Sequence, residues 1–355
     1  MNFIDATRPI REGEAFETTK VEAFLKAAIP GMEGSLAVEQ FPGGHSNLTY
    51  LLKIGDRDLV LRRPPFGRKV KTAHDMGREY RIQKALKPVF PYCPELLAYT
   101  EDESIIGCTF YVMERIKGII LRRDLPAGLS LTPQAARALC EKLIDVYAAL
   151  HHVDYKMAGL EGYGKPEGYV RRQVEGWSER YRGARTDDAP DFEPVMAWLH
   201  AKMPGESAIV SVIHNDYRFD NVVLSPMNPL QIIGVLDWEM ATIGDPLMDL
   251  GGALAYWVDR DDPPNMQAIR IAPTHLEGMM TRRELVNAYT ERMGLSTDHI
   301  DFYYCFGLFR LAVIAQQIYY RFYHGQTKDE RFKLMIFAVH VLQEAAKGVI
   351  ETSDL

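Results

Sequence analysis

The residues whose types and spacing could carry chemistry fall in one stretch, residues 212–251, VIHNDYRFDNVVLSPMNPLQIIGVLDWEMATIGDPLMDLG. His214-x-Asp216-x4-Asn221 lies there between apolar residues, and a strand-like run over 231–236 ends on Asp237. The set is a candidate base, a candidate metal amide and a candidate metal carboxylate around a strand–turn–strand. Phosphoryl transfer asks for these groups and little else, because its catalysis rests on positioning and charge neutralisation.

Asp216, in a loop after an apolar strand over 209–213, can orient a substrate hydroxyl and accept its proton as the phosphoryl group arrives. Asn221 offers a neutral oxygen that suits Mg²⁺ without competing for protons. Asp237 ends the next strand, so the two strand ends can bring Asn221 and Asp237 to one ion. His214 precedes Asp216 by two; in a loop it points away and hydrogen-bonds backbone, a structural role rather than that of base. Asp249 opens a helical stretch, where a buried carboxylate could accept backbone N–H groups of the Asp216 loop and hold it rigid. Asp245 caps that helix ahead of Pro246.

The upstream elements must supply the other half of such a site. Residues 1–34 are an irregular lead and a short helix over 19–28, ended by Pro30-Gly31. Strand-like runs follow at 35–40, 48–54 and 58–61. Between the first two, Pro42-Gly43-Gly44-His45-Ser46-Asn47 is a glycine turn whose N–H groups could cover phosphates, or a plain hairpin connection. Arg62 closes the third strand as a cation where a phosphate ligand could sit. In the helix expected over 73–86, Met76, Glu79, Ile82, Gln83 and Leu86 share one face. An unpaired carboxylate in such a stripe is costly, so Glu79 either meets a cation, Arg62 foremost, or escapes to solvent. Strands over 96–99 and 108–114, joined by a turn at Glu101-Asp102-Glu103, complete a small sheet lobe that the chain leaves through Glu114-Arg115-Ile116-Lys117-Gly118.

From Thr132 onward the periodicity is helical. Thr132-Pro133 opens a helix that ends at His151-His152, two residues suited to packing and capping. Arg171, Arg172 and Arg180, in RRQVEGWSERYRGAR, could bind an anionic substrate tail or form a solvated face with Glu175 and Glu179. A short helix is expected over 192–202, and a capping box, Thr281-x-x-Glu284, opens a helix that stops at Gly294. Long helices over 298–323 and 328–347 follow, the last stopping at Gly348. Residues 259–265, DRDDPPN, read as a mobile exposed loop.

Composition narrows the function classes. At 355 residues with 47% apolar content the chain is long enough for two lobes. A net charge of −7 gives no general reason to expect nucleic acid as a partner. Its 4 cysteines are scattered without CxxC pairing, which suits a reducing compartment and excludes a disulfide frame or zinc site as the organising device. The apolar run over 302–320 is broken by Arg310, Gln316 and Gln317 and reads as a buried core helix, not a membrane span. The expectation is a cytoplasmic protein with no nucleic-acid or membrane partner.

The segment HNDYRFDN with VLDWEMATIGDPLMDLG resembles the aminoglycoside phosphotransferase family, a small-molecule branch of the protein-kinase-like fold, over roughly residues 35–325. The resemblance implies an α+β, bilobal fold: a small antiparallel sheet lobe with one helix, residues 35–116, and a larger, mainly helical lobe, residues 117–355. It implies Asp216 as catalytic base, Asn221 and Asp237 as Mg²⁺ ligands, an Arg62–Glu79 ion pair, and residues 43–47 as the phosphate-covering turn. It further implies adenine bound at Glu114, Arg115 and Ile116, with ATP as donor and GTP left open because readout there uses backbone. Two departures stand out. The strand cation is Arg62 where kinases carry lysine, and an arginine fork does not replace an ammonium neutrally; the glycine turn also lacks a full GxGxxG. GGHSNLTYLL, LVLRRPP and GREYRI are similar to the subgroup found beside, or fused to, acyl-CoA dehydrogenases, which implies a hydroxyacyl or acyl-CoA-related acceptor and a functional association with such a dehydrogenase.

The expected activity is transfer of the terminal phosphoryl group of ATP to a small-molecule hydroxyl. The alternative is a nucleotide-binding, pseudokinase-like regulatory protein. Intact Asp216, Asn221 and Asp237 favour the enzyme, since a non-catalytic protein has no chemical need for all three. A protein kinase lacks support because no APE-like segment follows Asp237, and a metal hydrolase because no His/Asp cluster has hydrolase spacing.

Overall fold

A computed structural model describes residues 3–42, 47–66, 75–205 and 209–352. Gly43, Gly44, His45 and Ser46 of the glycine turn lie outside the described residues. In chain order the elements begin α1 (Thr18–Ala28), β1 (Leu36–Gln40), β2 (Leu48–Ile54), β3 (Arg57–Arg63), α2 (Met76–Leu86), β4 (Leu96–Thr100), α3 (Glu103–Ile106) and β5 (Phe110–Glu114). There follow α4 (Pro133–His151), α5 (Tyr169–Ala184), α6 (Glu193–Ala201), β6 (Ser211–Ile213), β7 (Val222–Leu224), β8 (Ile232–Val235) and β9 (Thr242–Gly244). The chain closes with α7 (Pro246–Ala255), α8 (Pro264–Ile269), α9 (Arg282–Met293), α10 (Ile300–Tyr323) and α11 (Met335–Thr352). The class is mixed α+β.

Two compact units divide the chain. The first comprises Met1–Ile120, Ala158–Leu160 and Asn221–Ala241; the second Leu121–Met157, Glu161–Asp220 and Thr242–Leu355.

In the first unit an antiparallel sheet runs in the order β1-β2-β3-β5-β4. Side chains alternate across it with period two, so each strand serves two cores. Tyr50, Leu52, Leu59, Leu61, Phe110 and Val112 face one side, where Val21 and Leu25 of α1 cover them. Val60, Tyr111 and Met113 face the other, where Met76 of α2 packs. Full burial of a residue such as Leu25 stabilises by about 2 kcal/mol over exposure. The same alternation sends Arg62 to the α2 side with Val60, and helical spacing turns Glu79 inward with Met76, Ile82 and Gln83. Asp75 starts α2 at this point, its side chain accepting from the Arg78 N–H at 2.8 Å. The lead over residues 3–15 is irregular but tied down: Arg8 bridges Gln40, and the Tyr50 hydroxyl donates to the Glu14 carbonyl at 2.7 Å. The antiparallel β7–β8 hairpin also belongs here and lies against Gly118, where a Cβ would stand 2.3 Å from the Leu224 carbonyl oxygen.

In the second unit α10 is buried along almost its whole length and crosses α7 at backbone contact. A Cβ on Gly307 would lie 1.9 Å from the Gly251 carbonyl oxygen, and one on Gly251 2.1 Å from that of Tyr303. Thr281 and Glu284 make the full capping box of α9, and Gly294 ends it at φ 63. Among the described residues no helix is long and apolar enough to cross a membrane.

Three sequence expectations need correction. Residues 101–103 are not a bare turn: Asp102 caps the short helix α3, accepting from the Ser104 N–H at 2.9 Å. The last helix starts at Met335, after a 3-10 turn over Glu330–Leu334, and runs through Gly348 to Thr352. One interior glycine costs a helix only about 1 kcal/mol, and the buried Val341, Leu342 and Ala346 just upstream anchor that stretch. Residues 259–265 are pinned, since the Arg282 guanidinium donates twice to Asp262 at 2.6 Å and the Arg282 backbone N–H donates to the Asp259 carboxylate at 3.1 Å.

Candidate active site

The first unit gathers acid around one buried cation. Arg62 Nε lies 3.2 Å from Glu79 Oε1, Nη2 lies 2.8 Å from Asp237 Oδ1, and Nη2 lies 3.8 Å from Glu239 Oε2. Burial works against the charge of Arg62, yet Glu79 and then Asp237 hold its pKa well above the ordinary guanidinium value. Burial likewise pushes Glu79 above the usual carboxylate range, partly offset by Arg62. The Tyr111 hydroxyl donates to Glu79 Oε1 at 2.9 Å and accepts from Gln83 Nε2 at 3.1 Å. The second oxygen of Glu79 is buried with no hydrogen-bond partner.

Asn221 and Asp237 come together through the β7–β8 ladder. Val222 pairs with Val235, and the Leu236 N–H donates to the Asn221 carbonyl at 2.8 Å. The next residue, Asp237, takes a left-handed backbone (φ 64), which turns the chain at the strand end. Asn47 joins the cluster by donating from Nδ2 to Glu239 Oε2 at 2.8 Å.

The second unit holds the Asp216 loop. Both carboxylate oxygens of Asp249 accept from it: the His214 N–H at 2.6 Å and the Asn215 N–H at 2.7 Å. Charge-assisted bonds of this kind are each worth about 1.5–3 kcal/mol. Asp249 is also bonded by His151 Nε2 at 3.1 Å, and His151 Nδ1 meets the Tyr289 hydroxyl. Burial opposes the Asp249 charge, but the bonds from His151 and the neighbouring His214 hold its pKa below the usual aspartate value. Asn215 sits at φ 63, and the His214 ring accepts from the Asp216 N–H at 3.3 Å. Arg218 donates to the Asp216 carboxylate, lies 3.8 Å from Asp220 Oδ2, and stacks over Tyr256 at 4.6 Å.

The remaining predicted residues fall less close to chemistry. Glu114 pairs with Arg57, and Arg115 with Asp58. The N–H groups of Glu114 and Arg115 are taken by the carbonyls of Glu95 and Asp58. Ile116 packs where Gly234 leaves room; a Cβ there would stand 2.5 Å from its Cδ1. Arg172 donates to the carbonyls of Lys165 and Glu167, and the exposed Arg171 lies 4.0 Å from Glu175, so these two have partners within their own neighbourhood. Arg180 instead stacks on Trp177. Sequence reasoning missed Glu239, Tyr111, Arg218 and the network role of His151. Glu239 is two residues from Asp237 and Arg218 two from Asp216, and Tyr111 stands opposite Arg62 in the strand register.

A small antiparallel sheet with a buried arginine–glutamate pair, an HxDxxxxN loop held by a helix carboxylate, and a strand-end aspartate define a phosphotransferase of the kinase-like fold. The chain belongs to the phosphotransferase enzyme family (APH), whose sequence pattern matches residues 37–285. It is 33% identical to a candidate aminoglycoside phosphotransferase of Ralstonia eutropha, whose crystal structure superposes with a TM-score of 0.77 over 94% of this chain and 99% of that one. Aminoglycoside 2'-phosphotransferase-IIIa, solved as a GDP complex, shares the fold at 16% identity, with a TM-score of 0.58 over 94% of this chain and 99% of that one. Over 326 residues the chain is 35% identical to mouse acyl-CoA dehydrogenase family member 10, covering 91% of this chain. It spans 30% of that relative's length.

Proposed function

We propose that the protein is a small-molecule kinase that moves the terminal phosphoryl group of ATP or GTP to a hydroxyl, with Asp216 as base. The observation that carries this reading is the acid excess around Arg62: Glu79, Asp237 and Glu239 share that one guanidinium, and Asp237 follows Leu236, whose N–H donates to the Asn221 carbonyl. Among the described residues, the ion pairs of Glu79 and Asp237 run to Arg62 alone. An all-oxygen donor set with surplus negative charge suits a hard dication, and Asn221 and Asp237 would hold it. When bound, Mg²⁺ would supply positive charge against the negative charge of the phosphates.

The chain's own groups supply the rest. Arg62 presents a planar fork to phosphate oxygens while Glu79 keeps it aimed. Residues 43–47 would cover the phosphates, and the nucleotide base would be read by the backbone that Glu114–Ile116 leaves available, chiefly at Ile116. Asp216 accepts the proton of the acceptor hydroxyl, and Asp249 keeps the loop from drifting as it does so. Nucleotide and metal binding are assigned to residues 35–116 with the β7–β8 hairpin, and acceptor binding to the helical remainder of 117–355. The similarity to an acyl-CoA dehydrogenase family member supports hydroxy acids or hydroxyacyl-CoA thioesters as acceptors, and a functional partnership with a dehydrogenase. No disulfide joins the 4 cysteines, which suits a cytoplasmic setting.

The deciding experiment measures nucleotide consumption with hydroxyacyl-CoAs and free hydroxy acids, wild type against Asp216→Ala. The variant is expected to bind Mg·ATP normally by calorimetry while transfer falls by about 10²–10⁴-fold. Unchanged transfer would remove Asp216 as base. Nucleotide binding with no acceptor consumed would instead support a regulatory module.

A further inference from the structure

Arg310 is a buried charge that the reaction above leaves unused. It stands mid-way along α10, 7% exposed, and its Nη2 donates to the Asn215 carbonyl at 2.8 Å. Its guanidinium carbon lies 5.4 Å from the Trp177 ring centre, and that of Arg180 lies 4.7 Å from the same ring. Gly252 makes room for it, since a Cβ there would come within 3.2 Å of Nη1. Among the described residues Arg310 makes no ion pair; the carbonyl and the ring are its close partners.

A guanidinium carries five N–H donors, and the one bond to the Asn215 carbonyl leaves its charge without an opposite charge beside it. Other buried arginines are better served. Arg62 meets Glu79 and Asp237, and Arg270 meets Asp124. Arg63 spreads its donors over the carbonyls of Pro64 and Ile106. The missing counter-charge of Arg310 therefore points to a ligand, and its location says which. The carbonyl it holds belongs to the residue immediately before Asp216. Tyr169, on the same face of α5 as Trp177, feels the charge of Arg310 and lines a cavity of about 330 Å³ together with Arg171, Gly244 and Asp245.

We infer that Arg310, with the Trp177–Arg180 pair beside it, binds an oxyanion, a carboxylate or phosphate group of the molecule that is phosphorylated, and so selects anionic acceptors. A polycationic amine would be repelled there. The word acceptor rests on the phosphotransfer reading; the anion site does not.

The test uses the full chain with inorganic phosphate as probe, titrated calorimetrically with and without saturating Mg·ADP. Wild type is expected to bind phosphate in both conditions. Arg310→Met should weaken it at least about tenfold, with Arg310→Lys in between, while Mg·ADP affinity stays at the wild-type value in both. No phosphate binding by wild type, or equal affinity in Arg310→Met, overturns the site. Loss of phosphate binding under Mg·ADP assigns it to the nucleotide and overturns the acceptor role. Should Arg310→Met fail to fold, Arg310→Lys and Arg180→Ala carry the comparison, and wild-type affinity in both overturns the site. Failure of wild type to bind Mg·ADP would sink the kinase reading while the Arg310 comparison still reports on the anion site.

Discussion

Arg62 Nη2 stands 2.8 Å from Asp237 Oδ1 while Nε of the same side chain stands 3.2 Å from Glu79 Oε1. One buried cation thus links a helix carboxylate to a strand-end carboxylate, using two edges of a planar group. A lysine in its place is a single point charge on a flexible stem and cannot face both at these distances.

Arg62→Lys should therefore destabilise the protein by about 1–2 kcal/mol, because the buried Glu79 or the partly exposed Asp237 loses its partner. Nucleotide turnover should fall with it. Urea unfolding alongside an ATP-consumption assay checks this, and a variant equal to wild type in both would show that the bridging edge geometry has no consequence.

Asp259 predicts a pH dependence in the second unit. Burial, ahead of the opposing Arg282, raises its pKa from 3.8 to about 6, and Asp262 and Asp261 add to the rise. Gln267 bonds its backbone carbonyl at 2.6 Å and leaves the carboxylate to Arg282. Between pH 3.8 and about 6 the native state holds this proton more than the unfolded chain does. Stability from this group is thus complete below the lower value and lost as pH rises through the upper one, by up to about 3 kcal/mol. Asp259→Asn should flatten that part of the stability–pH curve in denaturant titrations from pH 4 to 7. An unchanged slope would show that Asp259 titrates near its ordinary value.

Two glycines on neighbouring helices should respond in opposite directions. Gly307→Ala drives a methyl into the Gly251 carbonyl, at 1.9 Å before relaxation, and forces α7 and α10 apart. A loss of about 3 kcal/mol or more is expected. Gly348→Ala meets nothing within 4 Å inside α11 and should gain up to about 1 kcal/mol. Thermal unfolding of the pair separates backbone contact from helix propensity, and a harmless Gly307→Ala would remove the close crossing.

Much of the small sheet was legible because its signals are local. Period-two apolar runs marked β1, β2 and β3, and the glycine–aspartate turn at 55–56 marked the connection after β2. The position of Glu79 within an apolar helical stripe pointed to a buried carboxylate in want of a cation. The helix starts at Asp245-Pro246 and Thr281 were equally plain, since a capping side chain and the N–H that donates to it lie within three residues. Helix stops were less so: Gly348 resembles a terminator, but a glycine's backbone preference is weak beside the packing that continues α11.

Spacing along the chain determined which residues are candidates for chemistry, because HxDxxxxN, the strand-end Asp237 and the stripe carrying Glu79 are written in types a few positions apart. Tertiary structure decided which charges meet. Arg62 reaches Asp237 across 175 residues, His151 reaches Asp249 across 98, and Arg310 reaches the Asn215 carbonyl across 95. No periodicity encodes such pairs. A buried charge takes whatever partner the packing of distant elements brings within hydrogen-bonding range, and Arg310, a mere interruption in an apolar run, became a functional residue only once the fold showed what it lacks.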